Sequence, residues 1–249
     1  MSYLKQIKRN IIIQTLHKCG SCFQELYFST IATSMGYKLS KNIGDNIDHE
    51  VGVQDQWIKT LRYIYEVTDP DILTIIIIRH PLDRLISQYY SMGYTHDIQC
   101  EWIADESKRK NTCNKMIETR KVIQTMTLDE YVLDNILDRK MEYDIALRSK
   151  NVITYETMVH NFKKFCDIIG NLVGLDPEPL YIMYKSEFNE SFDNSNDIIN
   201  CNLITHRRTI QKNEYKNKLS EETLKIAEEK IGDILMAYDK LDTQSFISC

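Results

Sequence analysis

Residues 71–79 read DILTIIIIR, and four consecutive isoleucines leave few folds open. β-Branched side chains are stiff at χ1 and favour extended backbone. A short run that is apolar throughout has no face for water, so it reads as a strand covered on both sides. Residues 10–16, NIIIQTL, repeat the pattern, and NVITYE at 151–156 gives a third strand. Apolar residues at helical spacing follow each one: Phe23, Leu26, Tyr27, Ile31 and Met35 up to Gly36; Leu82, Leu85, Ile86, Tyr89 and Tyr90 after Pro81; and Met158 to Ile169. Strand–helix alternation of this kind implies an α/β fold with a central parallel sheet flanked by helices. Ligands of such sheets bind beyond the carboxyl ends of the strands.

The rest of the chain is less explicit. A weak strand is expected near Tyr37–Leu39, and a helix over 54–67 from Trp57, Leu61, Ile64 and Tyr65. Residues 92–125 are charged and aperiodic, so they read as an inserted loop or lid, with DESKRK at 105–110 solvated. TLDE at 127–130 is a capping box. Residues 176–213 read as irregular, and a last helix starts at Ser220 with Leu224, Ala227, Ile231, Leu235 and Tyr238 as its stripe. With 249 residues, only eight glycines and four prolines, and no repeat, the expectation is one domain over 1–249.

A net charge of −5 offers no general attraction for nucleic acid, so any anion site must be a local gathering of Lys and Arg. The opening MSYLKQIKRNIIIQTL has too short an apolar run for a signal peptide, and no stretch approaches the roughly 20 residues of a membrane span. The expected setting is the cytoplasm. Seven scattered cysteines are then reduced thiols, and the Cys19-x-x-Cys22 pair reads as two small residues in a tight turn, since no second pair completes a zinc site.

The chemistry-bearing residues sit where strands end. Lys18-Cys19-Gly20-Ser21 follows the first strand, at the N-terminus of a helix that attracts anions. The lysine precedes the glycine and the first glycine of a Walker loop is missing, so the match to a nucleotide triphosphatase is poor. Arg79 ends the isoleucine strand, and Ser87 follows eight residues later. A triphosphatase would often place an acid at such a strand end to hold magnesium. An arginine there suits a phosphate, or a surface pair with Asp83.

LHKCGSCF and RHPLDRLIS together resemble the two nucleotide-binding motifs of the sulfotransferase family, enzymes that use 3′-phosphoadenosine 5′-phosphosulfate (PAPS). VITYETMV is similar to the family's strand running into a Tyr-Glu pair. HRRTIQKNEYKNKLSEET is similar to its late basic segment, with Arg207-Arg208-Thr209 for the usual Arg-Lys-Gly and Tyr215-Lys216 for Trp-Lys. The four stretches occur in family order.

The resemblance implies a three-layer P-loop-like fold with PAPS as co-substrate and no metal required. Lys18, Cys19, Gly20, Ser21, Cys22 and Phe23 would surround the 5′-phosphosulfate, with Lys18 also catalytic. Arg79, Ser87, Arg207 and Arg208 would hold the 3′-phosphate. The general base would be His49, with Glu50 and His17 as alternatives, and His96 and Asp97 would touch the acceptor. The acceptor would be a small molecule or carbohydrate, with one of Tyr89, Tyr90 and Tyr94 lining its pocket. No nucleic-acid partner is expected, and the oligomeric state is not legible. The competing readings are a P-loop small-molecule kinase using ATP and an inactive sulfotransferase-like binding protein.

Overall fold

The computed structural model describes residues 10–41, 56–96, 98–100, 103, 105–185 and 212–247. Five strands, β1 (Asn10–Thr15), β2 (Lys38–Lys41), β3 (Trp57–Leu61), β4 (Ile72–Ile78) and β5 (Val152–Thr154), form one sheet in the order β2-β3-β1-β4-β5. Every pairing is parallel. The isoleucine run behaves as its composition demands, with Ile75 to Ile78 all essentially without solvent contact. Between β1 and β3 or β2 no tight hairpin is possible, so each parallel partner is reached by a crossover.

Helix α1 (Ser21–Met35) follows β1 and ends at Gly36, whose left-handed backbone lets Tyr37 N–H reach back to the Ala32 carbonyl. The chain after β1 continues towards β2 on one side of the sheet, and the chain after β4 continues towards β5 on the other. The carboxyl ends of the adjacent strands β1 and β4 are therefore the switch point where α/β sheets bind ligands.

The remaining helices are α2 (Pro81–Tyr90), α3 (Glu106–Gln124), α4 (Leu128–Asn135), α5 (Lys140–Arg148), α6 (Tyr155–His160), α7 (Phe162–Val173), α8 (Glu178–Tyr184), α9 (Tyr215–Lys218) and α10 (Glu221–Ile247), with a π-helical turn at Ser91–Thr95. No helix among the described residues is long and apolar enough to cross a membrane. The backbone of α10 leaves helical geometry at Ile231. The chain gathers into two compact units. One takes its described residues from Met1–Arg79, Met141–Ile198 and Met236–Cys249, and the other from His80–Lys140 and Ile199–Leu235. The first contains the sheet and an aromatic core of Phe23, Tyr27, Phe28, Phe162, Phe165 and Tyr184. The second is helical, with Tyr89, Ile123 and Tyr131 at its centre.

Several expectations change. The helix read over 54–67 is instead strand β3 followed by irregular chain. Its residues alternate in burial and pair with β1 on one side and β2 on the other, and this pairing overrides the helical spacing of Trp57, Leu61 and Ile64. The segment read as a loop over 92–125 holds the π turn and the nineteen-residue α3. Only Ile123 of α3 is buried, so the helix has no apolar stripe for a periodicity search to find. Polar side chains hold it instead. Arg120 donates to the carbonyls of Met92 and His96, Gln124 to that of Gly93 (2.9 Å), and Arg109 to that of Ile103 (2.8 Å). The single helix read after β5 divides at Asn161, whose side chain caps α7. Helix α8 lies within the stretch read as irregular.

Candidate functional site

The turn between β1 and α1 is built for close approach. Lys18 and Gly20 both adopt left-handed backbone, with φ of 71° and 78°. Cys19 N–H closes the turn onto the Leu16 carbonyl at 3.2 Å. Gly20 is required twice over. Its φ suits glycine, and a Cβ there would come within 2.6 Å of Met158 Cε and 3.1 Å of Tyr155 Cε2. The first turn of an α-helix presents N–H groups with no carbonyl one turn earlier, and α1 starts with no acidic residue in that turn. An anion with a lysine beside it suits this corner.

Two buried polar residues fix the turn from behind, and the sequence reading missed both. Gln24 Nε2 donates to the Cys19 carbonyl at 2.5 Å and to Thr15 Oγ1 at 3.5 Å. Thr15 Oγ1 in turn donates to the Ile77 carbonyl at 3.0 Å, tying the end of β1 to the end of β4. The only sequence signal was a glutamine in the first turn of a helix whose neighbours face the core.

Within the turn, Cys19 is buried, His17 and Lys18 are half-buried, Ser21 is buried and Cys22 is exposed. Phe23 sends its ring into the core against Phe162 and Tyr184, so its backbone N–H is the group it offers to a ligand.

Arg79 follows the last residue of β4. Thr15 pairs with Ile77 across the two strands, so Lys18 and Arg79 leave the same edge of the sheet from neighbouring strands. The Arg79 guanidinium carbon lies 4.9 Å from the centroid of the Tyr155 ring. Tyr155 directly follows β5 and is the same ring that limits the space at Gly20. One aromatic ring thus lies against both the Gly20 turn and the Arg79 side chain, a placement hinted at by the Tyr-Glu pair but not derivable from it.

Arg79 and Asp83 are both buried, so neither stands at the surface where the sequence suggested a pair. The Asp83 carboxylate accepts from the backbone N–H groups of Asn213 (3.1 Å) and Tyr215 (2.9 Å), and the His80 ring stacks on that of Tyr215 at 4.3 Å.

The end of β4 is further fixed by hydroxyls. Tyr143 donates to the Arg79 carbonyl at 2.7 Å, and Tyr238 lies 3.5 Å from the Ile78 carbonyl while also contacting Glu156. Burial, and then the adjacent Glu156 carboxylate, push the Tyr238 phenol well above its ordinary pKa. Thr154 Oγ1 and Asp242 Oδ1 meet at 2.8 Å, joining the end of β5 to α10.

Ser87 lies on α2, half-buried, in the second unit. His96 ends the π turn, with its carbonyl taken by Arg120. Tyr89 is buried and bonds its hydroxyl to the Met126 carbonyl, whereas the Tyr94 ring is about half exposed. His49, Glu50, Asp97, Arg207 and Arg208 lie outside the described residues.

Comparison with known proteins bears on the family and the fold. A family model described as "Sulfotransferase family" matches residues 3–230. Among solved structures, the mouse sulfotransferase SULT7A1 complexed with PAP aligns with a TM-score of 0.50 and 13% identity, covering 97% of this chain and 84% of that one. Retinol dehydratase in complex with retinol and PAP aligns at 0.45 and 14% identity, covering 91% and 81%. No curated protein matches. The structural likeness speaks to the fold, a parallel sheet between helices in the P-loop-like manner, and the family model covers nearly the whole length. The chain belongs to the sulfotransferase family.

Proposed function

We propose that this chain transfers a sulfuryl group from PAPS to a hydroxyl or amine of a small-molecule or carbohydrate acceptor, releasing adenosine 3′,5′-bisphosphate. The observation that carries this reading is Arg79 at the tip of β4, beside the Gly20 turn and sharing the Tyr155 ring with it. Two anion-binding elements on neighbouring strand ends suit a nucleotide with phosphates at both ends. A magnesium-dependent kinase would often want an acid where Arg79 stands.

In this proposal the first amides of α1, Ser21 and the Lys18 ammonium surround the 5′-phosphosulfate. The chemistry is in-line displacement at sulfur, in which the acceptor oxygen or nitrogen bonds to sulfur as the bridging oxygen leaves. Lys18 stabilises the charge that grows on that leaving oxygen. Positioning and charge stabilisation supply most of the rate, as in other group transfers of this type. Arg79 takes the 3′-phosphate, and by the family resemblance Ser87, Arg207 and Arg208 join it. His49 removes the acceptor proton, with Glu50 and His17 as the alternatives. The whole of 1–249 acts as one sulfotransferase domain.

The test is thermal unfolding of the full chain with adenosine 3′,5′-bisphosphate, adenosine 5′-monophosphate or Mg-ATP. Ligand at a hundred times its Kd stabilises by about 2.7 kcal/mol, so the bisphosphate should raise Tm by several degrees. A larger rise with Mg-ATP would overturn the reading. Labelled PAPS with a panel of hydroxylated acceptors then reports transfer. Bisphosphate binding without transfer to any acceptor would mark an inactive binding protein instead.

A further inference from the structure

Away from the nucleotide turn, the second unit brings three sulfur atoms to one side of α3. Cys100 is fully buried, and its thiol donates to the Met116 thioether across 3.3 Å. Cys113 precedes Met116 by three positions, so the two share a face of the helix. The Cys113 thiol lies 3.4 Å from the carbonyl of Gln99, the residue bonded to Cys100. The Cys100 thiol and the Met116 thioether are thus in contact, and the Cys113 thiol lies on the same helix face against the chain that precedes it.

We propose that Cys100, Cys113 and Met116 form a three-coordinate site for a soft monovalent cation, Cu(I) being the biological one. A zinc or calcium centre draws on three or more His, Cys, Asp or Glu, and no such group is found among the described residues. A set made only of sulfur, with methionine as the third donor, selects Cu(I) over the harder divalent ions.

Two further features fit. Cys100 holds a φ of 51°, strained for a residue with a side chain, while its thiol meets Met116. Cys113 and Met116 are only partly buried, which leaves a route for the metal to enter. On binding, each thiol gives its proton to solvent, two per copper, and the sulfurs donate lone pairs. No electron changes hands.

The test uses the full chain, reduced by a non-thiol reductant under anaerobic conditions, competing with bicinchoninate for Cu(I). The wild-type protein should withdraw one equivalent of copper and release two protons in weak buffer. Met116→Leu, which keeps the volume at a half-exposed position, and Cys113→Ser should both lose that equivalent with an unchanged Tm. A Cys19→Ser, Cys22→Ser double variant should keep it. Zn(II) offered in the same way should not be retained. The proposal is overturned if copper uptake survives in Met116→Leu and Cys113→Ser, if it disappears in the Cys19, Cys22 variant, or if wild type takes none.

Discussion

Arg79 is a buried cation whose guanidinium carbon lies over the Tyr155 ring and whose carbonyl is held by Tyr143. Its backbone contacts do not depend on its side chain, so Arg79→Ala should leave the circular dichroism of the sheet intact. It should weaken adenosine 3′,5′-bisphosphate by about 2 kcal/mol, roughly 30-fold, the scale of a charge-assisted hydrogen bond. Titration calorimetry checks this, and adenosine 5′-monophosphate serves as control because its affinity should barely move. Arg79→Lys should recover only part of the loss, since an ammonium neither stacks nor binds a phosphate through a planar fork. Equal losses for both nucleotides would remove Arg79 from the 3′-phosphate. The placement of Lys18, Gly20 and Arg79 at strand ends was legible in the sequence because they sit at fixed offsets from unmistakable strands. Gln24, Thr15 and Tyr143 were not, because their work is done through backbone carbonyls brought near only by the fold.

Among the elements, those defined by apolar patterning were read correctly. β1, β4, α1 and α2 each bury enough hydrophobic surface for their period to show. The capping box at Thr127 was equally readable, with Thr127 and Glu130 satisfying each other's backbone N–H groups. Strand β3 failed because five residues flanked by two partners owe their conformation to pairing rather than to their own pattern. Helix α3 failed because its attachments are polar, and Arg120 supplies two of them. Arg120→Ala should therefore destabilise the second unit by about 1–2 kcal/mol and speed amide hydrogen exchange across Glu106–Gln124, while exchange in β1 and β4 stays unchanged. Exchange mass spectrometry distinguishes this from a general loss of stability.

Across the described residues of the whole molecule, every strand pair is parallel and must be joined by a crossover, which predicts slow folding. The stability of the first unit should also depend on alkaline pH. Burial pushes the Cys166 thiol from its ordinary 9.0 up to about 11, and burial raises the Tyr27 phenol as well. The unfolded chain sheds the thiol proton first, so stability is complete below about pH 9 and falls as pH climbs towards 11. Urea midpoints should be lower at about pH 10.5 than at about 8.5, and Cys166→Ala should flatten the difference. An equal fall in the variant would assign the effect elsewhere.

The Tyr155 ring has a last consequence. Since the same ring stands against the Gly20 corner and under the Arg79 guanidinium, whatever steadies it at one end prepares it at the other. The two phosphates of a nucleotide should then help each other, so that the intact carrier is held more tightly than the separate contributions of its halves would add up to.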